Sequence, residues 1–150
     1  MQTLTRTTSE NSDFRSLIVL LDQDLNEKDG DDHAFYAQFN KVDSIKEVVV
    51  AYKDGVAAGC GAIKPYTETI AEVKRMFVHP DFRRQGIAKQ VLAALEAWAK
   101  VLSYTATILE TGLKQPAAME LYKNSGYTII PNYGQYAGVE NSVCMQKQLI

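Results

Sequence analysis

Six consecutive residues in the middle of the chain have the types and spacing of a site that holds a phosphate. Arg83-Arg84-Gln85-Gly86-Ile87-Ala88 follows an apolar run and opens a helical pattern. The first backbone N–H groups of a helix lack internal partners and carry partial positive charge. Gly86 and the small Ala88 let an anion approach that backbone, while Arg83 and Arg84 add full charge. The pattern predicts an anion cradle, although a plain strand–turn–helix joint with a basic turn would look the same.

The elements around this cradle follow from hydrophobic periodicity. Alternating or β-branched runs predict strands at residues 3–7, 47–53, 56–64, 70–78, 107–111, 127–130 and 143–148. Helical spacing predicts helices at 14–25, 33–39 and 87–102, and a further helix that begins at Pro116 and is capped by Gly126. Ser12 or Asp13 can cap the first helix. The strand–helix–strand unit around the cradle makes its two strands parallel, so the fold class is α/β with a mixed sheet.

Composition describes an ordinary globular protein. The 150 residues are 46% hydrophobic and 23% charged, which fits one domain spanning 1–150. The formal net charge of −2 argues against nucleic acid as a partner. No apolar run has the length of a signal peptide or of the ~20-residue membrane span, so no membrane partner and a cytoplasmic location are expected. Positive charge concentrates at Arg75, Arg83, Arg84 and Lys89, as an anionic ligand requires.

Other reactive residue types are sparse. Cys60 and Cys144 sit in apolar surroundings, where reduced buried thiols are favoured over a disulfide. His33 and His79 are isolated, so no metal site is predicted. Neither a serine nucleophile elbow nor a Gly-Lys-Ser/Thr phosphate loop occurs. The cradle is therefore the main chemical signal in the chain.

Two segments resemble the GNAT superfamily of acyl-CoA N-acyltransferases. Residues 71–88 carry its signature after the fourth strand: Arg83, then Gly86, then Ala88. Residues 115–127 are similar to its later helix, with the Leu121-Tyr122 pair and a following Gly-Tyr pair. The resemblance implies a mixed, mostly antiparallel sheet of about seven strands. It also implies about four flanking helices and a fourth and fifth strand that splay apart.

The same resemblance implies acetyl-CoA as co-substrate, with no metal. The cradle from Arg83 to Lys89 would hold the pyrophosphate. The pantetheine arm would lie between the splayed strands and pair with backbone groups of Met76, Phe77 and Val78, one of which would polarise the thioester carbonyl. Many members carry Asn where this chain has Gln115, which has the same amide on a longer arm.

Glu72 and Tyr122 are the predicted catalytic residues. Glu72 lies where family members often carry a catalytic Glu, and a carboxylate in partly apolar surroundings suits proton relay. It is equally consistent with a solvated ion pair to Lys74 or Arg75. Tyr122 matches the family Tyr that faces the coenzyme sulfur and would protonate the leaving thiolate. Its spacing alone favours a core residue. Glu68 and Glu110 are weaker candidates for a base, interpreted as loop and structural residues.

The implied function is an N-acetyltransferase in which the amine of a small molecule or peptide attacks directly in a ternary complex. In this family the first helices and the late loop line the acceptor site. Here that gives Asp32, His33, Tyr36, Tyr133 and Tyr136, which suit a cationic amine but also fit ordinary surface positions. A non-catalytic acyl-CoA sensor, another acyl group and a homodimer are left open.

Overall fold

The computed structural model describes residues 2–29, 44–113 and 115–149, with the side chains of 26–29 left aside. Its seven strands are β1 Gln2–Thr7, β2 Glu47–Lys53, β3 Val56–Pro65, β4 Ile70–Val78, β5 Ala106–Gly112, β6 Thr128–Ile130 and β7 Ser142–Gln148. Its described α-helices are α1 Ser12–Asp29, α2 Ile87–Val101 and α3 Pro116–Asn124. The helix predicted at 33–39 lies outside the described residues and stays a prediction.

One seven-stranded sheet carries these elements in the order β1-β2-β3-β4-β5-β7-β6. Every neighbouring pair is antiparallel except β4 and β5, so the predicted mixed sheet is confirmed. The parallel pairing of β4 with β5 runs only from Ile70 opposite Ala106 to Glu72 opposite Ile108. Beyond Glu72 the two strands separate, which confirms the predicted splay.

Helices cover both faces of the sheet because strand side chains alternate between faces. On β2, Val49 and Ala51 pack in the cluster under α2, while Val48 and Val50 pack in the cluster under α1. The cap of α1 differs from the prediction. Asn11 Oδ1 accepts a hydrogen bond from the Phe14 N–H at 2.9 Å, so Asn11 caps the helix instead of Ser12 or Asp13.

A β-bulge interrupts β4 next to the splay. Cys60 of β3 faces Phe77, but Ala62, two residues on, faces Lys74, so β4 has one extra residue there. Arg75 lies in the bulge with φ of +59°, a left-handed conformation that a side chain disfavours. Its buried guanidinium turns towards α1 and pairs with Asp22 at 2.7 Å. The expectation that Arg75 belongs to the positive charge around the cradle is therefore wrong.

Candidate active site

The separation of β4 and β5 opens a cleft with a volume of about 120 Å³ between the two strands. It brings together predicted site residues that lie far apart in the sequence. The lining residues come from α1, β4, β5, α3 and the β6–β7 connection: Leu21, Leu25, Glu72, Val73, Lys74, Arg75, Met76, Glu110, Thr111, Gly112, Gln115, Ala118, Tyr122 and Tyr136.

Glu72 projects from β4 just where the parallel pairing ends. It is half-buried, and its Oε2 accepts a hydrogen bond from the Tyr133 hydroxyl at 2.7 Å. Of its two predicted ion-pair partners, Arg75 bonds Asp22 instead. Burial lowers the pKa of Lys74, and the negative charge of Glu72 works against that shift. Glu72 thus sits in a partly buried polar cluster on the cleft wall.

Glu110, predicted as a weaker candidate for a base and interpreted as a structural residue, is a second carboxylate on the cleft wall. It stands on β5, a strand whose other residues are all buried. Burial raises the pKa of both Tyr122 and Tyr136, and the charge of Glu110 raises them further. The signal in the sequence was a single charge within an otherwise uncharged strand. Such charges are seldom placed there without a partner or a ligand.

Tyr122 lines the same cleft from α3. Only 7% of the residue is exposed, and its ring meets Tyr127 edge-on with 5.8 Å between centroids. Because burial raises the pKa of Tyr122 above its ordinary value, the phenol keeps its proton at neutral pH. A proton donor needs that form. Tyr122 therefore packs in the core, as its spacing favours, and also lines the cleft, as the family resemblance implies.

The cradle follows β4 through a 3-10 turn at Pro80–Phe82. Arg83 Nε donates to the Val78 carbonyl at 3.1 Å and ties the loop to the end of the strand. Gly86 caps α2 with φ of +78°, and a Cβ built there would meet no described atom within 4 Å. The first helical bond runs from Gln90 N to Gly86 O, so the N–H groups of 87–89 precede the ladder and point out of the helix.

Two of the predicted cofactor contacts are available only through the backbone. The side chains of Ile87 and Phe77 are 1% and 7% exposed and belong to the core. Gln85 bonds Lys53, and Arg83, Arg84, Gln85 and Lys89 are exposed around the cradle. Gln115 precedes α3 without using its side chain as a cap, so its amide is not occupied by the helix end. Each of these contacts stays a prediction.

The predicted acceptor residues divide into two groups. Asp32, His33 and Tyr36 lie outside the described residues. The Tyr133 hydroxyl donates a hydrogen bond to Glu72, and Tyr136 is 2% exposed at the cleft wall. Both therefore lie next to the catalytic candidates, and neither is an ordinary surface tyrosine.

The two cysteines, both in the described part of the chain, are buried. Cys60 and Cys144 are free and fully buried, and burial raises the pKa of Cys60 to about 12. A buried thiol with that pKa is a poor nucleophile.

Among residues 2–29, 44–113 and 115–149, no three His, Cys, Asp or Glu side chains group as metal ligands. In those same ranges no helix is long and apolar enough to cross a membrane.

Comparison with known proteins assigns the family. The Acetyltransferase (GNAT) family matches residues 12–127. An IAA acetyltransferase from Azospirillum brasilense is 37% identical over 102 residues, 67% of this chain and 67% of that protein. A Klebsiella pneumoniae structure described as an acyl-CoA N-acyltransferase is 32% identical, with a TM-score of 0.82 over 100% of this chain and 99% of its own. The chain belongs to the GNAT family, and the predicted enzyme class, N-acetyltransferase, is confirmed.

A more distant structure agrees with the architecture. The PaiA N-acetyltransferase of Thermoplasma acidophilum, solved in complex with coenzyme A, has a TM-score of 0.73 at 14% identity. The alignment covers 99% of each chain. At that identity the likeness concerns the fold alone.

Proposed function

We propose that this protein transfers an acetyl group from acetyl-CoA to the primary amine of an acceptor by direct attack in a ternary complex. One observation carries the proposal: the cleft between the separated parts of β4 and β5 is lined by Glu72 on one element and Tyr122 on another. Acyl transfer to an amine must remove one proton from the nitrogen and supply another to the leaving sulfur. A carboxylate and a protonated phenol along one cleft suit those two tasks.

The described residues fit acetyl-CoA. The N–H groups of 87–89 and the open space before Gly86 would receive the pyrophosphate, with Arg83, Arg84 and Lys89 as counter-charges. Within the described residues, Met76–Val78 has no strand partner on its β5 side. Alternate backbone groups there would pair with the pantetheine arm, and one N–H would polarise the thioester carbonyl. The Gln115 amide would add a contact from α3.

The bond changes follow from these positions. The amine nitrogen forms a bond to the acyl carbon as the carbon–sulfur bond breaks. Glu72 takes the proton from the nitrogen, directly or through one water, and Tyr122 gives its proton to the thiolate. The burial of Cys60 and Cys144 favours this direct route over a covalent acyl-enzyme.

The acceptor is the amine of a small molecule or peptide, the domain spans 1–150, and the enzyme works in the cytoplasm. Neither nucleic acid nor a membrane is a partner, and a homodimer is left open. A sensor that binds acyl-CoA without turnover would need neither Glu72 nor Tyr122, which disfavours that alternative.

Two measurements test the proposal. Acetyl-CoA at about 100 times its dissociation constant should stabilise the fold by roughly 2.7 kcal/mol, seen as a higher melting temperature. Acetyl-CoA should also release free thiol with at least one amine in a panel of polyamines, amino acids, aminoglycosides and peptides. An unchanged melting temperature would contradict the cradle. Stabilisation without thiol release from any amine would favour the sensor, and competition among acyl-CoAs would reveal a different acyl group.

A further inference from the structure

The connection between β6 and β7 reaches back across the sheet to the proposed base. Tyr133, in that connection, donates its hydroxyl to Glu72 Oε2 at 2.7 Å, although 61 residues separate the two in sequence. We propose that Tyr133 is a positioning residue for Glu72, fixing one carboxylate oxygen so that the other faces the acceptor amine or its bridging water. This inference rests on the proposed function, in which Glu72 accepts the amine proton.

The Tyr133 ring is itself held in place. It meets Tyr66 at 5.1 Å and Tyr136 at 5.9 Å between centroids, both edge-on. Its carbonyl accepts the Tyr136 N–H at 2.9 Å. The preceding Asn132 donates to the carbonyls of Val139, in the same connection, and of Ser142, the first residue of β7, at 3.0 Å each. The hydroxyl therefore arrives at Glu72 on a braced loop, which is the condition for fixing a partner's orientation.

The hydrogen bond has a defined direction. Burial raises the pKa of Tyr133, and the adjacent negative charge of Glu72 raises it further. The phenol therefore stays protonated at any working pH and can only donate to the carboxylate. A donated hydrogen bond favours the ionised form of a carboxylate, which is the form that accepts a proton.

Other charged or titratable groups face Glu72, and a test must separate Tyr133 from them. They come from β3, β4, β5, the same connection and β7: Lys64, Lys74, Glu110, Tyr136 and Cys144. Tyr133→Phe leaves all of them in place and keeps the ring that contacts Tyr66 and Tyr136. It removes one hydroxyl and therefore one hydrogen bond.

An NMR signal of the Glu72 carboxyl gives the first readout, with no acceptor present. Protein labelled with carbon-13 at glutamate carboxyls is measured at neutral pH, and the Glu72 signal is assigned by its loss in Glu72→Gln. In Tyr133→Phe the chemical shift of that signal should change, because the carboxylate loses the hydrogen bond from the Tyr133 hydroxyl. Tyr66→Phe removes a hydroxyl from the same aromatic group and should leave the Glu72 chemical shift unchanged. An unchanged chemical shift in Tyr133→Phe would overturn the proposal.

Turnover gives the second readout, with acetyl-CoA and the panel amine that releases thiol fastest. Tyr133→Phe should lower kcat/KM by about 10–100-fold, while Tyr66→Phe stays near the parent. The double variant Tyr133→Phe/Glu72→Gln should be no slower than Glu72→Gln, because both changes disable one unit. Independent, additive losses would assign Tyr133 a separate role. If no amine is turned over, the proposed function fails while the Glu72 chemical shift still decides on Tyr133.

Discussion

Tyr122→Phe removes one hydroxyl from the proposed proton donor and little else. The residue is 7% exposed and packs edge-on against Tyr127, and phenylalanine preserves both features. The free energy of unfolding should therefore change by less than about 1 kcal/mol. A positioned proton donor contributes about 10²–10⁴ in rate, so the barrier should rise by roughly 2.7–5.4 kcal/mol. The loss should appear in kcat, with the KM for acetyl-CoA nearly unchanged.

The assay is thiol release at saturating acetyl-CoA from neutral pH to about pH 10. Because burial, and then Glu110, raises the pKa of Tyr122 above 10, its donor form should persist over this range. The deficit of the variant should then be constant with pH. Tyr104→Phe, a tyrosine beside the α2 core and outside the cleft lining, is the matched control. Parental kcat in Tyr122→Phe would refute the reasoning and leave solvent as the proton source.

Three further outcomes are expected. Gly86→Val and Gly55→Val should each lower the free energy of unfolding by about 1–2 kcal/mol, because both glycines have a left-handed φ and open space around them. Calorimetry should show weaker coenzyme A binding only for Gly86→Val. Asp22→Asn strips a buried Arg75 of its carboxylate and should lower the urea-unfolding free energy by about 1–3 kcal/mol. Burial raises the pKa of the Cys60 thiol from 9 to about 12. The contribution of this thiol to stability is therefore complete below pH 9 and is lost as pH rises towards 12. Cys60→Ala should flatten the fall in melting temperature between pH 9 and 12.

Local features of the fold were predictable because their causes are local. The boundaries 70–78 for β4 and 47–53 for β2 match the observed strands, since runs of β-branched and alternating residues specify strands directly. The cradle is contiguous in sequence, so its glycine turn and helix start could be recognised together. Gly86 indeed adopts the left-handed φ that makes glycine necessary there.

Features that depend on strand register were not predictable in the same way. Alternation alone placed no bulge in β4, because an extra residue is defined only against the neighbouring strand. The bulge turns Arg75 under α1 to Asp22, away from the charge cluster to which composition assigned it. The cap at Asn11 was missed by one residue, since several neighbouring side chains were suitable and backbone geometry selects among them.

The sequence by itself determined the strands and helices of the described residues, the mixed sheet and the family, because hydrophobic period, turn residues and a contiguous motif act over short stretches of chain. Only the tertiary structure decided which carboxylates and phenols share a cleft. Glu72, Glu110 and Tyr122 come from three elements, and Tyr133 reaches Glu72 across 61 residues. Their meeting depends on where β4 and β5 stop pairing and on how the β6–β7 connection folds back. Those long-range packing choices leave no periodic trace in the chain.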